Sequence, residues 1–451
     1  MPCQSAASGR KAKTQTARMS PSPGYFQKGI VLDRVIIVGA GMAGIASALS
    51  LARRGVQVCV LESARGPLQA ASYAPGGYLG PAALHSFVQP LSAFERMRRR
   101  IACTNPAKSL RYRMGSGQSD FLSRCLAFCE PNSADLVQSR FAALIGYSRS
   151  VLQSVTDEYG LTDYRSRVLL HAWRAADDIE KNRPTPSYVF GEVRSNPLTL
   201  AQMRALDPAI LETCGFAGAL CGAPDDTINA AFLARQVVTL CKDLGVAFSC
   251  RTQAEGFIRN KNGRVIGVRT NTGSVQGDAV LLCAGLGSAQ LLKSAARTLP
   301  MAPLTAVSIT AELSESTDLS RISLIDEDCG ILFTAMDQRI RACGLAFLGA
   351  VEDKEIEAEY RRLYDAGRSV YGNAADWNRA RYWRGTALAL PDALPALGVL
   401  PSLPGLYLNC AHGMTGAASA FGSAEIVSDL ITGRAAAIDP SPYRPERFGS
   451  A

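Results

Sequence analysis

A chain of 451 residues with 47% apolar and 19% charged residues is a globular protein with large cores, long enough for two interleaved domains. Its 48 basic and 39 acidic residues leave a net charge of +9, which suits an acidic ligand or an anionic membrane surface. No nucleic-acid partner is expected, because no recognition motif accompanies the charge. Thirteen cysteines without a C-x-x-C pair, and histidines only at 85, 171 and 412, give no zinc or iron–sulfur spacing. No metal is expected, and the compartment predicted is the reducing cytoplasm.

Residues 1–30 carry Arg10, Lys11, Lys13, Arg18 and Lys28 and no acid, among many Ser, Thr, Gly and Pro. They predict a disordered basic extension, and Met19 offers a second start.

The stretch Val35-Ile36-Ile37-Val38 then reads as a buried parallel strand. It runs into Gly39-Ala40-Gly41-Met42-Ala43-Gly44, a G-x-G-x-x-G turn, and on into a helical pattern to Arg54. Gly39 allows the sharp turn, Gly41 removes a side chain from the path of a pyrophosphate, and Gly44 lets helix and strand pack closely. A second strand over 56–61 ends at Glu62, 23 positions after Gly39, where a carboxylate accepts hydrogen bonds from an adenosine ribose. Residues 35–52 are eighteen positions without a charge, yet three glycines within them and the βαβ continuation argue against a membrane span.

The run from Ser72 through Gly76 and Gly77 to Pro81 is too rich in glycine for helix or strand, and is suited to present backbone N–H groups to a flat ring. From Arg96 to Arg113 there are seven basic residues and no acid, interleaved with apolar residues from Phe94 on. Such a segment, 94–113, suits peripheral contact with an anionic membrane. Residues 120–215 read as helices, with His171 a packed histidine and Cys125 and Cys129 sharing a helix face. A helix over 230–244 leads to short strands at 245–250, 254–258 and 265–269, with a turn at Asn262-Gly263. A second buried strand, from Ala279, ends in small residues at Gly285, Gly287 and Ser288, where a backbone passes close to a nucleotide. Strands over 305–348 and a charged helix over 353–366 follow. The chain closes with strand 406–411, the turn His412-Gly413-Met414-Thr415-Gly416, and a helix ending at Gly433.

The opening fingerprint, the Ser72 loop, the strand ending at Gly285 and the His412–Gly416 turn together resemble FAD-dependent amine oxidoreductases of the D-amino-acid oxidase type. Within that group the chain most resembles the bacterial D-amino acid dehydrogenases, from about Asp33 to Phe448. The likeness includes Leu200–Ala209, Asp337–Arg341, Trp383-Arg384-Gly385 and Pro391-Asp392. It implies an α/β fold, with a Rossmann-type FAD-binding domain (33–92, 225–295 and 384–440) and a discontinuous α+β substrate domain (93–224 and 296–383). It also implies FAD as cofactor, held by Val38 to Gly44 and Glu62, with Ala254 beside adenine. The loop with Ser72, Gly76 and Gly77 and the turn Gly413, Met414, Thr415 and Gly416 would flank the ring.

The reaction implied is hydride transfer from an amino acid, of D configuration, to flavin N5, giving an oxo acid and ammonia and passing electrons to a quinone or another electron-transfer partner. Glycine, sarcosine or an imino acid is the alternative substrate, and a non-catalytic flavin-binding subunit is the alternative of another class. Four positions depart from the family pattern: Ala387 for a carboxylate-binding arginine, Val307 for a tyrosine, Ala411 for a glycine and Asn229 for an aspartate. Arg339, Arg341, Arg381 or Arg384 is expected to replace the missing arginine. His412, as a protonated imidazole, is expected to stabilise reduced flavin, and His85 is a weaker candidate beside the ring.

Overall fold

In the computed structural model the chain is described over residues 33–449, apart from 81–87, 89, 103–109, 113–118, 182–196, 223–225 and 315–321. The extension over 1–30, His85 and much of the basic segment after residue 102 lie outside the described residues. The first elements are β1 (Arg34–Val38), α1 (Met42–Arg53) and β2 (Gln57–Glu62), as the fingerprint requires. Next come α2 (Ala93–Ala102), β3 (Leu110–Tyr112), α3 (Ser119–Ala127) and α4 (Pro131–Tyr159), the last stopped by Gly160 in the left-handed conformation.

The region read as helical to residue 215 in fact contains β4 (Val168–Trp173), α5 (Ala176–Lys181), β5 (Leu198–Thr199) and α6 (Leu200–Leu206), followed by β6 (Gly218–Gly222). Val168–Trp173 is a short apolar run, and periodicity alone does not separate a buried strand from a helix at that length. His171 lies on β4 and is hydrogen-bonded to Glu327 at 2.7 Å, so it is a strand residue. Cys129 falls beyond the end of α3, so it does not share that helix with Cys125, although both are buried.

Then follow α7 (Ala230–Asp243), β7 (Ala247–Cys250), β8 (Ala254–Arg259), β9 (Val265–Thr270), β10 (Gly273–Gln276), β11 (Ala279–Leu282) and α8 (Gly287–Ser294). The last part comprises β12 (Ala302–Glu312), β13 (Ile322–Asp326), β14 (Ile331–Met336), β15 (Arg339–Leu348), α9 (Asp353–Tyr371), β16 (Arg381–Ala389), β17 (Ala396–Val399), β18 (Leu406–Cys410) and α10 (Gly416–Ile431).

Three sheets result. The nucleotide-side sheet has the order β17-β18-β11-β1-β2-β7, and β18, β11, β1, β2 and β7 run parallel. Its central strands are apolar on both faces because helices cover one side and the small β10-β9-β8 sheet lies towards the other. The large sheet runs β16-β12-β15-β14-β13-β4-β6-β5, with β3 added beside β15. Strand alternation gives it two unlike faces. Val307, Ile309, Ile340 and Ala342 belong to the core that includes Ile356 and Leu363 of α9. Ser308, Thr310, Arg341 and Thr334 point to the opposite face, towards the nucleotide-side loop.

Close backbone approach sets the geometry of the nucleotide side. A Cβ on Gly39, at φ +103°, would lie 2.5 Å from the Cys283 carbonyl oxygen, and one on Gly44 would overlap the Gly39 carbonyl oxygen. At Gly422 of α10 a Cβ would come within 2.9 Å of Ser148 of α4. Arg54 fastens the end of α1 to α10 through Glu425 and Asp429 at 2.7 and 2.6 Å. Replacing Gly44 with alanine puts a methyl group against backbone that has no room to yield. Gly44→Ala is therefore expected to lose about 3 kcal/mol or more of stability, at the upper end of overpacking. Chemical denaturation with an unchanged midpoint would contradict this.

Candidate active site

The turn after β1 forms a cradle. The Ala40 N–H donates to Glu62 Oε2 and the Ala64 N–H to Glu62 Oε1, both at 2.8 Å, so the carboxylate sits at the mouth of the turn. Oε1 also accepts from the Ser63 hydroxyl at 3.3 Å, and Oε2 keeps a lone pair for a further donor such as a ribose hydroxyl. The Val38 carbonyl accepts from the Cys283 N–H at 2.8 Å, which fixes the end of β11 against the turn. Gly285, at φ +54°, follows there with open space beside it. The Ala43 carbonyl accepts from the Ser47 hydroxyl inside α1, and Met42 donates its N–H to Ser72 Oγ at 3.0 Å. Ser72 thus caps α1 and starts the glycine-rich loop at the point where an anion would bind. Ala254 begins β8 just beyond Thr252, whose N–H donates to the Glu62 carbonyl at 2.8 Å.

From Ser72 the loop crosses to the large sheet. The carbonyls of Ala74, Pro75 and Gly76 accept in turn from Ser308 Oγ at 3.0 Å, Arg341 Nη1 at 2.8 Å and Thr334 Oγ1 at 2.7 Å. The next carbonyl, of Gly77, accepts from the Ile228 N–H at 2.9 Å. Gly76 lies against Leu332 and Cys343, while a Cβ on Gly77, at φ +75°, would overlap the Ile228 carbonyl oxygen.

The second turn reaches the same face. His412 bridges to Ala389 of β16, and a Cβ on Gly413 would lie 3.5 Å from Ala389 Cβ and 3.9 Å from Leu304. Met414 is exposed, Thr415 closes the turn through its hydroxyl to the His412 carbonyl at 2.8 Å, and Gly416 starts α10. The two turns predicted to flank a ring therefore rest on one face of one sheet.

Arg341 is the notable charge there. It is 7% exposed, its Nε bonds to Thr310 Oγ1 at 3.0 Å, and no carboxylate pairs with it among the described residues. Burial, with Arg339 and Arg235 nearby, holds its pKa below the usual arginine range. Arg339 is partly buried and faces Glu312 in register on β12. Arg381 lies at an exposed edge, 3.4 Å from Glu312.

Arg384 lies away from the face where the two turns meet. It is in register with Val307, on the face that packs towards α9, and pairs with Asp353 at 2.8 Å in solvent. The period-two alternation of β16 excludes it, whereas Ala387, in register with Leu304, does face the site. Val307, where a tyrosine was expected, points into the α9-side core. Asn229 caps α7 by accepting the Phe232 N–H at 3.2 Å, a task asparagine and aspartate perform equally. Ala411 adopts φ +61°, the left-handed region that explains a glycine in relatives and costs an alanine about 1 kcal/mol.

Burial works against the protonated imidazole expected at His412. Its Nε2 meets Asn409 Oδ1 at 2.9 Å and its Nδ1 meets Ser419 Oγ at 2.8 Å, and desolvation pushes its pKa down to about 4. Asn409 in turn donates to Ser47 Oγ at 2.9 Å, so the imidazole ties the closing turn to α1.

Sequence reasoning passed over Ser308, Thr310, Thr334 and Arg235. The first three are polar residues at alternate positions in otherwise apolar strands, a readable sign of a face turned to something polar. Arg235 is exposed on α7, and nothing in its neighbourhood in the chain distinguishes it.

A glycine cradle with a carboxylate at its mouth, joined by a loop to a sheet face holding an unpaired buried cation, defines an oxidoreductase built on an adenine-dinucleotide cofactor. The chain belongs to the DAO family, described as FAD dependent oxidoreductase, whose family model matches residues 34–430. It is 27% identical to a D-amino acid dehydrogenase of Paramagnetospirillum magneticum, over 92% of this chain and 99% of that one. It is 30% identical to one of Cereibacter sphaeroides, over 92% and 96%. In fold it resembles a glycine oxidase from Geobacillus kaustophilus, with a TM-score of 0.67 at 18% identity over 92% of this chain and 99% of that one. It also resembles an L-amino acid deaminase from Proteus vulgaris, with a TM-score of 0.64 at 14% identity over 95% and 100%. FAD is therefore the cofactor, and the open cradle at Gly39 to Gly44 with Glu62 fits its pyrophosphate and ribose.

The depressed pKa of His412 sets a pH dependence with a definite sign. The unfolded histidine takes up its proton near 6.5 and the folded one near 4, so its share of stability is present at neutral pH and lost as pH falls between those values. Between pH 7 and pH 5 that loss amounts to about 2 kcal/mol. His412→Gln is expected to flatten this part of the profile, and urea midpoints at the two pH values that fall equally in both proteins would refute it.

Proposed function

We propose that the enzyme oxidatively deaminates amino acids, of D configuration, to oxo acids and ammonia. The observation that carries this reading is Arg341, a buried guanidinium without an acidic partner among the described residues, on the face where both turns meet. It takes over the carboxylate contact from Ala387, binding the substrate from β15 instead of β16. Of its donors, those not used by Pro75 and Thr310 are free to form a charge-assisted pair with the carboxylate. The flavin, when bound, supplies the two-electron sink for the hydride leaving the substrate Cα. The protein's own share is to hold the carboxylate, orient the Cα–H and exclude water, and no protein nucleophile is needed. The D preference is supported by the printed names of the sequence relatives.

We infer a division into a nucleotide half (33–92, 225–295 and 384–440) and a substrate half (93–224 and 296–383); sheet membership supports it, apart from β16, which pairs within the large sheet, and α4, which packs on the nucleotide-side core. A small-molecule substrate and an electron acceptor follow from the family. A quinone-type acceptor is our finer reading, supported by the resemblance and by the surface of α2. Among the described residues no helix is long and apolar enough to cross a membrane. Phe94 and Met97 of α2 are 75% and 64% exposed in a basic segment, which supports peripheral contact with anionic lipid.

Two experiments test these readings. Anaerobic reduction of the flavin by a panel of D- and L-amino acids, glycine and N-methyl amino acids is expected to show a D-specific response. Arg341→Met should then need about 10²–10³-fold more substrate, the effect of removing a buried charge partner, whereas Arg384→Met stays within about twofold. Equal behaviour of the two variants would remove Arg341 from the site. For the lipid contact, the protein is expected to co-sediment with phosphatidylserine vesicles at low salt, and Phe94→Ser/Met97→Ser to remain in the supernatant. Identical sedimentation of both would exclude α2.

A further inference from the structure

Three side chains from three neighbouring strands grip three successive carbonyls of one loop. Ser308 of β12 donates to Ala74 at 3.0 Å, Arg341 of β15 to Pro75 at 2.8 Å and Thr334 of β14 to Gly76 at 2.7 Å. In a planar trans peptide the carbonyl and the following N–H point in opposite directions. Pulling the Pro75 and Gly76 carbonyls onto the sheet therefore turns the N–H groups of Gly76 and Gly77 away from it. The first gripped peptide contributes no such donor, because the residue after Ala74 is a proline. The two donors thus belong to the two glycines. Both glycines are fenced in, Gly76 by Leu332 and Cys343 on the sheet side and Gly77 by Ile228.

We propose that Thr334, acting with Arg341, is a positioning residue that sets the reduction potential of the bound flavin by fixing the Gly76 and Gly77 N–H groups towards its ring. Flavin reduction brings negative charge onto the ring system. Preorganised donors aimed at developing negative charge favour the state that carries it, without reorganisation at the moment of transfer. The buried positive charge of Arg341 acts in the same direction. Losing a hydroxyl leaves a carbonyl without its partner, and the peptide plane is then free to swing its N–H off line. The inference rests on the FAD family and is independent of which amino acid is oxidised.

The test compares holoenzymes by flavin content, visible spectrum and midpoint potential measured by equilibration with a reference dye. Thr334→Val and Ser308→Ala are each expected to retain a full complement of flavin. At a fixed ambient potential the reduced-to-oxidised ratio of Thr334→Val should fall about tenfold, the size of one hydrogen bond of this kind. That corresponds to about 30 mV for a two-electron couple. Thr334→Ser restores the hydroxyl and should restore the parental value. Ser308→Ala and Thr305→Val are the controls: Ser308 holds the one gripped peptide that has no N–H, and the Thr305 hydroxyl bonds Thr386 of β16 at 2.8 Å and does not reach the loop, so neither should move the potential. A parental potential in flavin-replete Thr334→Val overturns the proposal, as does an equal fall in either control. Should Thr334→Val lose its flavin, Thr334→Ala decides by the same criterion.

Discussion

The structure depends on a meeting of three backbones with no side chain between them. The turn after β1, the start of α1 and the end of β11 converge at Gly39 and Gly44, where added Cβ atoms would run into the carbonyl oxygens of Cys283 and Gly39. This contact keeps side chains of the turn itself out of the path of a pyrophosphate at the N-terminus of α1 and brings Glu62 to its edge.

From that point a single loop carries the arrangement to the other half of the molecule. It starts as the cap of α1 at Ser72 and ends clamped to the large sheet, so the nucleotide cradle and the substrate face are in register through about five residues of backbone. The closing turn arrives independently on the same face, tied back to α1 through His412, Asn409 and Ser47. Two ties from different ends of the chain define one slot, and Arg341 is the charge left over inside it.

Much of this was legible in the sequence where local rules act. The βαβ opening, the N-terminus of α7, the Asn262-Gly263 hairpin and the glycine stop at Gly433 all follow from turn and cap chemistry within a few residues. What failed depended on distant partners. Val168–Trp173 became a strand because β13 and β6 lie beside it, and Arg384 lies away from the face of the two turns because the parity of β16 is set by its pairing with β12. The charge state of His412 was likewise unreadable, since it is fixed by the enclosure of the folded turn. Arg341 was legible as a candidate only because Arg339 and Arg341 alternate along one strand.

The span between the loop and the side chains that hold it bears on how the protein is made. Ala74 and Ser308 are 234 residues apart, and Pro75 and Arg341 are 266 apart. A ribosome working from the amino end releases β1, β2, β7 and β11 while β15 is still untranslated, and β17, β18 and α10 complete that side only afterwards. Contacts of such long range also form slowly once the chain is free. The nascent polypeptide thus carries the glycine turn and its carboxylate well before it has anywhere to seat the coloured ring, and both halves are finished only by the last strands and helix.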